Sequence, residues 1–195
     1  QRIPCFITTA HGYYADHPVS RIMGWGRLVI ANSESIARHM MDDFGVSSEK
    51  IRFIPRGVDL NRYAWKAPRP EAPRGEWQVG AIGRITPIKG LRDLVRAFAV
   101  VAKQLPRAKL LIIGGAEPKH RGHLAELKSW VSRLGLEERV EFTGHRADVP
   151  ALLLELDLLV LPSTGKEAFG RVLIEAGAAG VPVVATRVGG IPEVV

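Results

Sequence analysis

Five short apolar segments separated by helical patterns constrain the fold of this chain more than any other feature. The segments are Trp77–Ile82, Lys109–Ile113, Arg139–Phe142, Leu158–Leu161 and Pro182–Ala185. Between them, apolar residues recur with helical spacing at Leu91–Leu105, Arg121–Leu134, Val149–Leu154 and Val172–Ala179. Strands that alternate with helices are typical of a parallel, doubly wound sheet. We therefore predict an α/β fold with a Rossmann-like domain over residues 77–195.

The residues before this domain predict part of a second Rossmann-like domain. Strands are predicted there at Cys5–Thr9, Leu28–Ala31 and Ile51–Ile54. The prolines between residues 67 and 76 exclude both a helix interior and a central strand. We therefore predict a linker at residues 65–76, with residues 1–64 belonging to the other domain. Because the chain opens without Met and stops where a helix begins, we expect an internal fragment whose second domain is truncated at its C-terminus.

Two carboxylates, Glu167 and Glu175, flank the start of a predicted helix that follows a predicted strand and loop. In open parallel sheets, ligands bind outside the carboxyl ends of the strands. A helix N-terminus there offers unpaired N–H groups to an anion, while carboxylates accept hydrogen bonds from hydroxyls. A ligand that carries both a phosphate and several hydroxyls, such as a nucleotide sugar, satisfies both groups.

The stretch Glu167-Ala168-Phe169-Gly170-Arg171-Val172-Leu173-Ile174-Glu175, followed by Gly180–Thr186, resembles the E-x7-E signature of retaining glycosyltransferases of family 4. This family has the two-domain GT-B fold. The resemblance implies that Glu175 holds the ribose diol and Glu167 holds hydroxyls of the donor sugar. It also implies that the amides from Phe169 to Val172 face the sugar and the diphosphate. In that family, residues 1–64 would lie on the acceptor side.

A pair of cations, Arg84 and Lys89, follows the strand predicted at Trp77–Ile82. Cations at the carboxyl end of a strand can stabilise a diphosphate as it departs. The segment Gly83–Gly90 resembles the G-R-x-x-x-x-K-G phosphate-binding element of the same family. It is not a P-loop, because no glycine immediately precedes Lys89 and no serine or threonine follows it.

A histidine, His11, follows the first predicted strand in the sequence His-Gly-Tyr-Tyr. Such a histidine can donate a hydrogen bond to a sugar oxygen, and the resemblance places one beside the donor sugar. The later turn Ile54–Asp59 resembles the family's I-P-x-G-V-D turn, with Arg56 where Asn is common.

The predicted catalytic residues are His11, Arg84, Lys89 and Glu167. The predicted donor-binding residues are Gly83, Arg84, Lys89, Thr143, Gly144, His145, Arg146, Glu167, Ala168, Phe169, Gly170, Arg171, Val172 and Glu175, with the backbone of 142–146 facing the base.

The charge and composition exclude several other classes of protein. The net charge of +7 is spread along the chain without a run of five like charges, so we expect no nucleic-acid partner. The single cysteine, Cys5, excludes an intramolecular disulfide and agrees with a reducing compartment. No stretch approaches the roughly 20 apolar residues of a membrane span. The neighbouring His120 and His123 lack carboxylates, so we expect no metal and no cofactor.

The function expected from this resemblance is transfer of a sugar from a nucleotide-diphosphate donor to a glycan or lipid-linked acceptor, with retention. By analogy, the pathway would be cell-envelope polysaccharide or lipopolysaccharide synthesis. We expect a cytoplasmic protein whose longer form can associate peripherally with the inner face of the membrane. The alternatives are a nucleotide-sugar epimerase of GT-B fold and, for these residues alone, a non-catalytic nucleotide-binding module. We expect this chain to bind a nucleoside diphosphate without catalysing transfer.

Overall fold

The computed structural model describes residues 5–63 and 76–195, which divide into two compact units. The first unit comprises the described residues up to Gly57 together with Lys166–Arg171 and Arg187–Val195. The second comprises the described residues from Val58 to Gly165 together with Val172–Thr186. Except for Glu76, the linker predicted at residues 65–76 lies outside the described residues.

The first unit contains a three-stranded parallel sheet in the order β1-β2-β3. The strands are β1 (Ile7–Ala10), β2 (Leu28–Ala31) and β3 (Ile51–Phe53). Helix α1 (Glu34–Asp42) belongs to the same unit, and its Ile36 and Met40 are completely buried with Val29 of the sheet. A short 3-10 helix, Ser20–Gly24, precedes β2. All three predicted strands are therefore present, with ends that differ by at most two residues.

The N-terminus of α1 is capped from two directions within the first unit. The Ser33 hydroxyl accepts a hydrogen bond from the Ile36 amide at 3.1 Å. The Glu193 carboxylate accepts hydrogen bonds from the Glu34 amide at 2.6 Å and the Ser35 amide at 2.9 Å. These amides have no partner within the helix, and a negative charge beside them favours the positive end of the helix dipole. The 3-10 helix Ile191–Glu193 positions that carboxylate.

The second unit contains a five-stranded parallel sheet, which confirms the predicted doubly wound α/β fold. Its strands are β4 (Gln78–Ile82), β5 (Lys109–Ile113), β6 (Val140–Gly144), β7 (Leu158–Leu161) and β8 (Val183–Ala185). Their order is β6-β5-β4-β7-β8. The chain therefore builds outward from β4 in one direction and then crosses to β7. The boundary between β4 and β7 is the topological switch point, where ligands bind in folds of this type.

Helices lie between the strands of the second sheet, as the sequence predicts. They are α2 (Leu91–Gln104), α3 (Arg121–Arg133), α4 (Val149–Glu155) and α5 (Arg171–Ala178). A hydrophobic core joins Val95 and Phe98 of α2, Leu110 and Ile112 of β5, and Leu127 of α3. No helix of the described residues is long and apolar enough to cross a lipid bilayer.

The predicted start of β6 differs by one residue, because the Arg139 amide belongs to the preceding turn and donates to the Leu136 carbonyl oxygen at 2.9 Å. The predicted strand begins at Arg139, whereas β6 begins at Val140 and continues to Gly144. The Arg139 guanidinium donates hydrogen bonds to the carbonyl oxygens of Ala108 at 2.7 Å and Leu105 at 2.8 Å. Arg139 thus fastens the turn before β5, and the pairing of Ile113 with Gly144 extends the strand at its other end.

Candidate functional site

A shallow pocket lies at the switch point of the second sheet. Its lining includes Gly83 and Arg84 after β4, Lys89 before α2, and Leu161 and Pro162 at the end of β7. Three of the predicted donor-binding residues, Gly83, Arg84 and Lys89, are therefore brought together at the position that the strand order favours for a ligand. Two cations beside one pocket suit an anion such as a diphosphate.

The loop that carries Lys89 is fixed to the loop that follows β7. Gly90 has a positive φ of 63°, and a Cβ atom there would collide with the carbonyl oxygen of Pro162. The amide of Thr164 donates a hydrogen bond to the carbonyl oxygen of Ile88 at 2.9 Å. Only glycine combines this backbone conformation with such a close approach at low cost. The structure therefore gives a physical reason for the glycine that follows Lys89.

The Arg84 guanidinium has a partner that the sequence did not indicate. It donates a hydrogen bond to the Glu117 carboxylate at 3.1 Å, and the Lys119 ammonium lies 3.2 Å from the other oxygen of that carboxylate. Lys119 and Arg84 together hold the pKa of Glu117 below its ordinary value. Glu117 follows Gly114 and Gly115 after β5. Its charged carboxylate forms an ion pair with the guanidinium of Arg84, which is predicted to bind a phosphate.

The predicted base-binding segment follows β6 at the same edge of the second sheet. Gly144 has a positive φ of 70°, and Thr143 donates its hydroxyl hydrogen to the Gly144 carbonyl oxygen at 3.2 Å. The Arg146 side chain is engaged by Asp148, with 2.8 Å between Nε and Oδ1, and this contact lowers the pKa of Asp148. The predicted contact of the backbone of 142–146 with a base stays a prediction.

The two glutamates of the signature lie in differently built surroundings. Glu175 is on α5 and only 7% of it is exposed, within the second unit. Gly170 has a positive φ of 80° immediately before α5 starts at Arg171. Glu167, Ala168 and the buried Phe169 belong to the first unit. The structure thus gives Glu175 a rigid helical position and Glu167 a position in a loop.

The backbone of that loop is held by two glycines of the first unit. The Gly190 amide donates a hydrogen bond to the Glu167 carbonyl oxygen at 2.8 Å. Gly189 has a positive φ of 57°, and a Cβ atom there would collide with the backbone of Glu167. A Cβ atom on Gly190 would collide with the Ala168 carbonyl oxygen. The two adjacent glycines are evident in the sequence, but the sequence did not predict that they contact the backbone of Glu167.

His11 lies directly after β1 and is paired with a second residue that sequence analysis left without a role. Its Nδ1 atom is 2.9 Å from an Nη atom of Arg56. The backbone on either side is also fixed, because the Tyr14 hydroxyl accepts from the His11 amide at 3.1 Å and the Asn32 side chain donates to the His11 carbonyl oxygen at 3.4 Å. The one feature of the sequence that could have drawn attention to Arg56 is that the turn commonly has asparagine at this position.

No group of three or more histidine, cysteine, aspartate or glutamate side chains among residues 5–63 and 76–195 is arranged to hold a metal ion. His123 is one of the two histidines that were not expected to bind a metal. Its Nδ1 atom lies 3.4 Å from an oxygen of the Glu126 carboxylate on the same helix. Arg84 and Lys89 line the pocket of the second unit and carry positive charge there.

Two family models match this chain and together cover nearly all of it. The family described as Glycosyl transferases group 1 matches residues 76–195. The family described as Glycosyltransferase Family 4 matches residues 1–62. The sequence motifs and the family models thus agree on both parts of the chain.

Curated relatives and solved structures give the same result. D-inositol 3-phosphate glycosyltransferase of Segniliparus rotundus is 36% identical over 205 residues, which are 97% of this chain and 44% of that protein. N-acetyl-alpha-D-glucosaminyl L-malate synthase of Bacillus anthracis is 41% identical over 114 residues, which are 58% of this chain and 28% of that protein. The crystal structure of Anabaena HepE in complex with UDP and glucose has a TM-score of 0.85 and 31% identity, and it covers 97% of this chain and 55% of its own. This chain spans about half the length of such relatives.

Proposed function

The chain belongs to glycosyltransferase family 4, the glycosyl transferases group 1, and on that premise we propose that it transfers a sugar from a nucleoside-diphosphate donor. The observation that carries this proposal is the pocket at the switch point between β4 and β7. Arg84 and Lys89 both line it, and the strand order makes this edge of the sheet the binding edge.

The proposed chemistry is stabilisation of the leaving group. As the bond between the sugar carbon and the diphosphate oxygen breaks, negative charge builds on the phosphate, and fixed cations lower the energy of that state. Arg84 and Lys89 take this role, and no metal ion is required. Glu175 accepts hydrogen bonds from the ribose, Glu167 accepts them from the sugar, and His11 donates one to a ligand oxygen.

We further propose that the reaction retains the configuration of the sugar. No side chain of the candidate set is assigned as a nucleophile. The acceptor hydroxyl forms its bond to the sugar carbon on the face from which the diphosphate leaves, and its proton passes to the departing phosphate oxygen. This assignment requires no residue beyond those that bind the donor.

For the donor we favour a uridine diphosphate sugar. The Anabaena relative was crystallised with UDP-glucose, and that structure has 30% identity and a TM-score of 0.81 to this chain. For the acceptor, a glycan or lipid-linked molecule in envelope polysaccharide synthesis stays a prediction, as does association of the longer protein with the inner face of the membrane. The names of the two curated relatives mention inositol 3-phosphate and malate, so small anionic acceptors belong in the same test.

Calorimetric titration of this chain with UDP, GDP and ADP tests the binding half of the proposal. We expect one of them to bind, and we expect Lys89→Ala to weaken that binding about tenfold, because a hydrogen bond to a charged group contributes about 1.5–3 kcal/mol. Lys103→Ala is the matched control, since Lys103 is an exposed cation of α2 outside the pocket. Failure of all three nucleotides to bind the folded chain would contradict the proposal.

Transfer itself is tested with the complete enzyme, by product analysis with and without a panel of acceptors. Lys89→Ala and Glu167→Ala should each lower turnover at least about tenfold. If both variants keep near-normal rates, the assignment of the site is wrong. Release of an epimerised sugar without any acceptor would instead identify an epimerase.

A further inference from the structure

We propose that Arg56 is a positioning residue that fixes the protonation pattern of His11, and the proposal rests on the function proposed above. The two side chains are 45 positions apart in the sequence and meet at 2.9 Å, Nη2 to Nδ1. Both belong to the first unit.

The strand order explains why the two residues meet. His11 follows β1 and Arg56 lies three residues after β3, and both strands run parallel to β2 in one sheet. The carboxyl ends of parallel strands lie at the same edge. The segment after β3 is also anchored there, because the Ile54 amide donates to the carbonyl oxygen of Ala31 at 2.9 Å. Arg56 is half-buried, whereas His11 is exposed at the edge.

The chemistry of the two groups allows only one arrangement of protons. A guanidinium carries N–H donors and no acceptor. At 2.9 Å from an Arg56 nitrogen, Nδ1 of His11 must therefore supply its lone pair. In a neutral imidazole one ring nitrogen accepts and the other carries the hydrogen. Arg56 thus selects the tautomer with hydrogen on Nε2, and a doubly protonated ring would have to give up the contact.

The selected tautomer defines the part that His11 plays. Nε2–H is a hydrogen-bond donor, so the ring can donate to a hydroxyl or phosphate oxygen of the ligand. It has no free lone pair with which to act as a base. An asparagine at position 56 could act as donor or acceptor and would not enforce this pattern. Arginine at this turn therefore makes His11 a donor of fixed orientation, whose value lies in correct placement.

Nitrogen NMR of the histidine rings tests the tautomer directly in this 195-residue chain, with no ligand and no assay of transfer. His11→Gln identifies the signal. We expect the neutral His11 ring to occupy the Nε2–H tautomer almost completely, and in both Arg56→Met and Arg56→Gln we expect this share to fall to that of a solvent-exposed imidazole, which favours the same tautomer less completely. Arg52→Met is the matched control, because the Arg52 guanidinium donates hydrogen bonds to the carbonyl oxygens of Glu49 and Ile51. An Nδ1–H tautomer in the unchanged chain, or an unaltered ring in both Arg56 variants, overturns the proposal.

Kinetics of the complete enzyme then distinguish positioning from direct ligand contact. We expect Arg56→Met to lower kcat roughly tenfold, an effect of the size that misplacement causes, with little change in KM for the donor. In the His11→Ala background the same substitution should have little further effect, because the two residues act as one unit. An equal loss in both backgrounds would show that Arg56 contacts the ligand itself and would overturn the positioning role. If no transfer occurs with any acceptor, the proposed function fails while the NMR result still decides the role of Arg56.

Discussion

Arg84 and Glu117 form an ion pair, Nη1 to Oε1 3.1 Å, at the edge of the pocket where a diphosphate is proposed to bind. The Glu117 carboxylate therefore competes with the ligand for one cation. Lys119 and Arg84 lower the pKa of this carboxyl. The Glu117 side chain is therefore protonated only at a lower pH than an ordinary glutamate, and it stays charged at neutral pH. The competition should persist across the pH range of about 6 to 8.

We expect Glu117→Gln to raise the affinity of the chain for its nucleoside diphosphate about twofold to fivefold, because exposed ion pairs make only a small contribution. Calorimetry measures the change. Glu138→Gln, an exposed carboxylate at another surface position, removes the same charge and should have little effect. Weaker binding by Glu117→Gln would mean that Glu117 orients Arg84 instead of competing for it.

Gly90→Ala should destabilise the second unit and weaken nucleotide binding together. The substitution places a Cβ atom against the Pro162 carbonyl oxygen at a residue with a φ of +63°, so the loop that carries Lys89 must shift. We expect a loss of about 2 kcal/mol, or roughly 4–8 °C in the melting temperature. Gly122→Ala is the control, because that glycine in α3 has open space around it and alanine favours a helix. Equal stability of the two variants would contradict the prediction.

Gly189→Ala should lower transfer by the complete enzyme by displacing Glu167. Gly45 offers a close comparison, since its φ of +65° is similar to the +57° of Gly189, yet nothing lies within 4 Å of a Cβ atom placed there. Both glycines belong to the first unit. Gly45→Ala therefore measures backbone strain alone, on the order of 1 kcal/mol. We expect Gly189→Ala to lose more stability than this and to lose turnover, whereas Gly45→Ala keeps its turnover. A similar turnover in both would separate Glu167 from catalysis.

Glu193→Ala should destabilise the first unit, because two amides at the start of α1 lose their acceptor. The expected cost is about 1 kcal/mol, as for other helix caps, measured by denaturant unfolding. Glu193→Gln keeps an acceptor oxygen and should lose less. Glu49→Ala, at an exposed position outside α1, is the control. If Glu193→Ala matches that control, the carboxylate does not stabilise the helix.

The architecture was predictable from the sequence wherever local pattern decides it. Lys109–Ile113 and Leu158–Leu161 were predicted with the ends that the structure gives them, because runs of Leu, Ile and Val between turns are typical of buried parallel strands. The start of β6 was predicted one residue too early because the Arg139 amide belongs to the preceding turn and donates to the Leu136 carbonyl oxygen at 2.9 Å. Periodicity carries no information about such a contact.

The partners within the candidate site were not predictable from the sequence in the same way. Arg84 and Glu117 are 33 positions apart, and His11 and Arg56 are 45 apart. Each pair forms only because two strands end at one edge of a sheet. Motif comparison identified Arg84 and His11, noted Arg56 only as a departure from a common turn, and did not single out Glu117.

The cap that Glu193 places on α1 also has a consequence for how the chain matures on the ribosome. Ser35 and Glu193 are 158 positions apart. Because translation adds about 5–20 residues per second, Glu193 is synthesised roughly 8 to 30 seconds after Ser35. During that interval the first three strands and α1 exist without it. Protease should therefore cut α1 severalfold faster in nascent chains arrested before residue 187 than in chains released after Glu193.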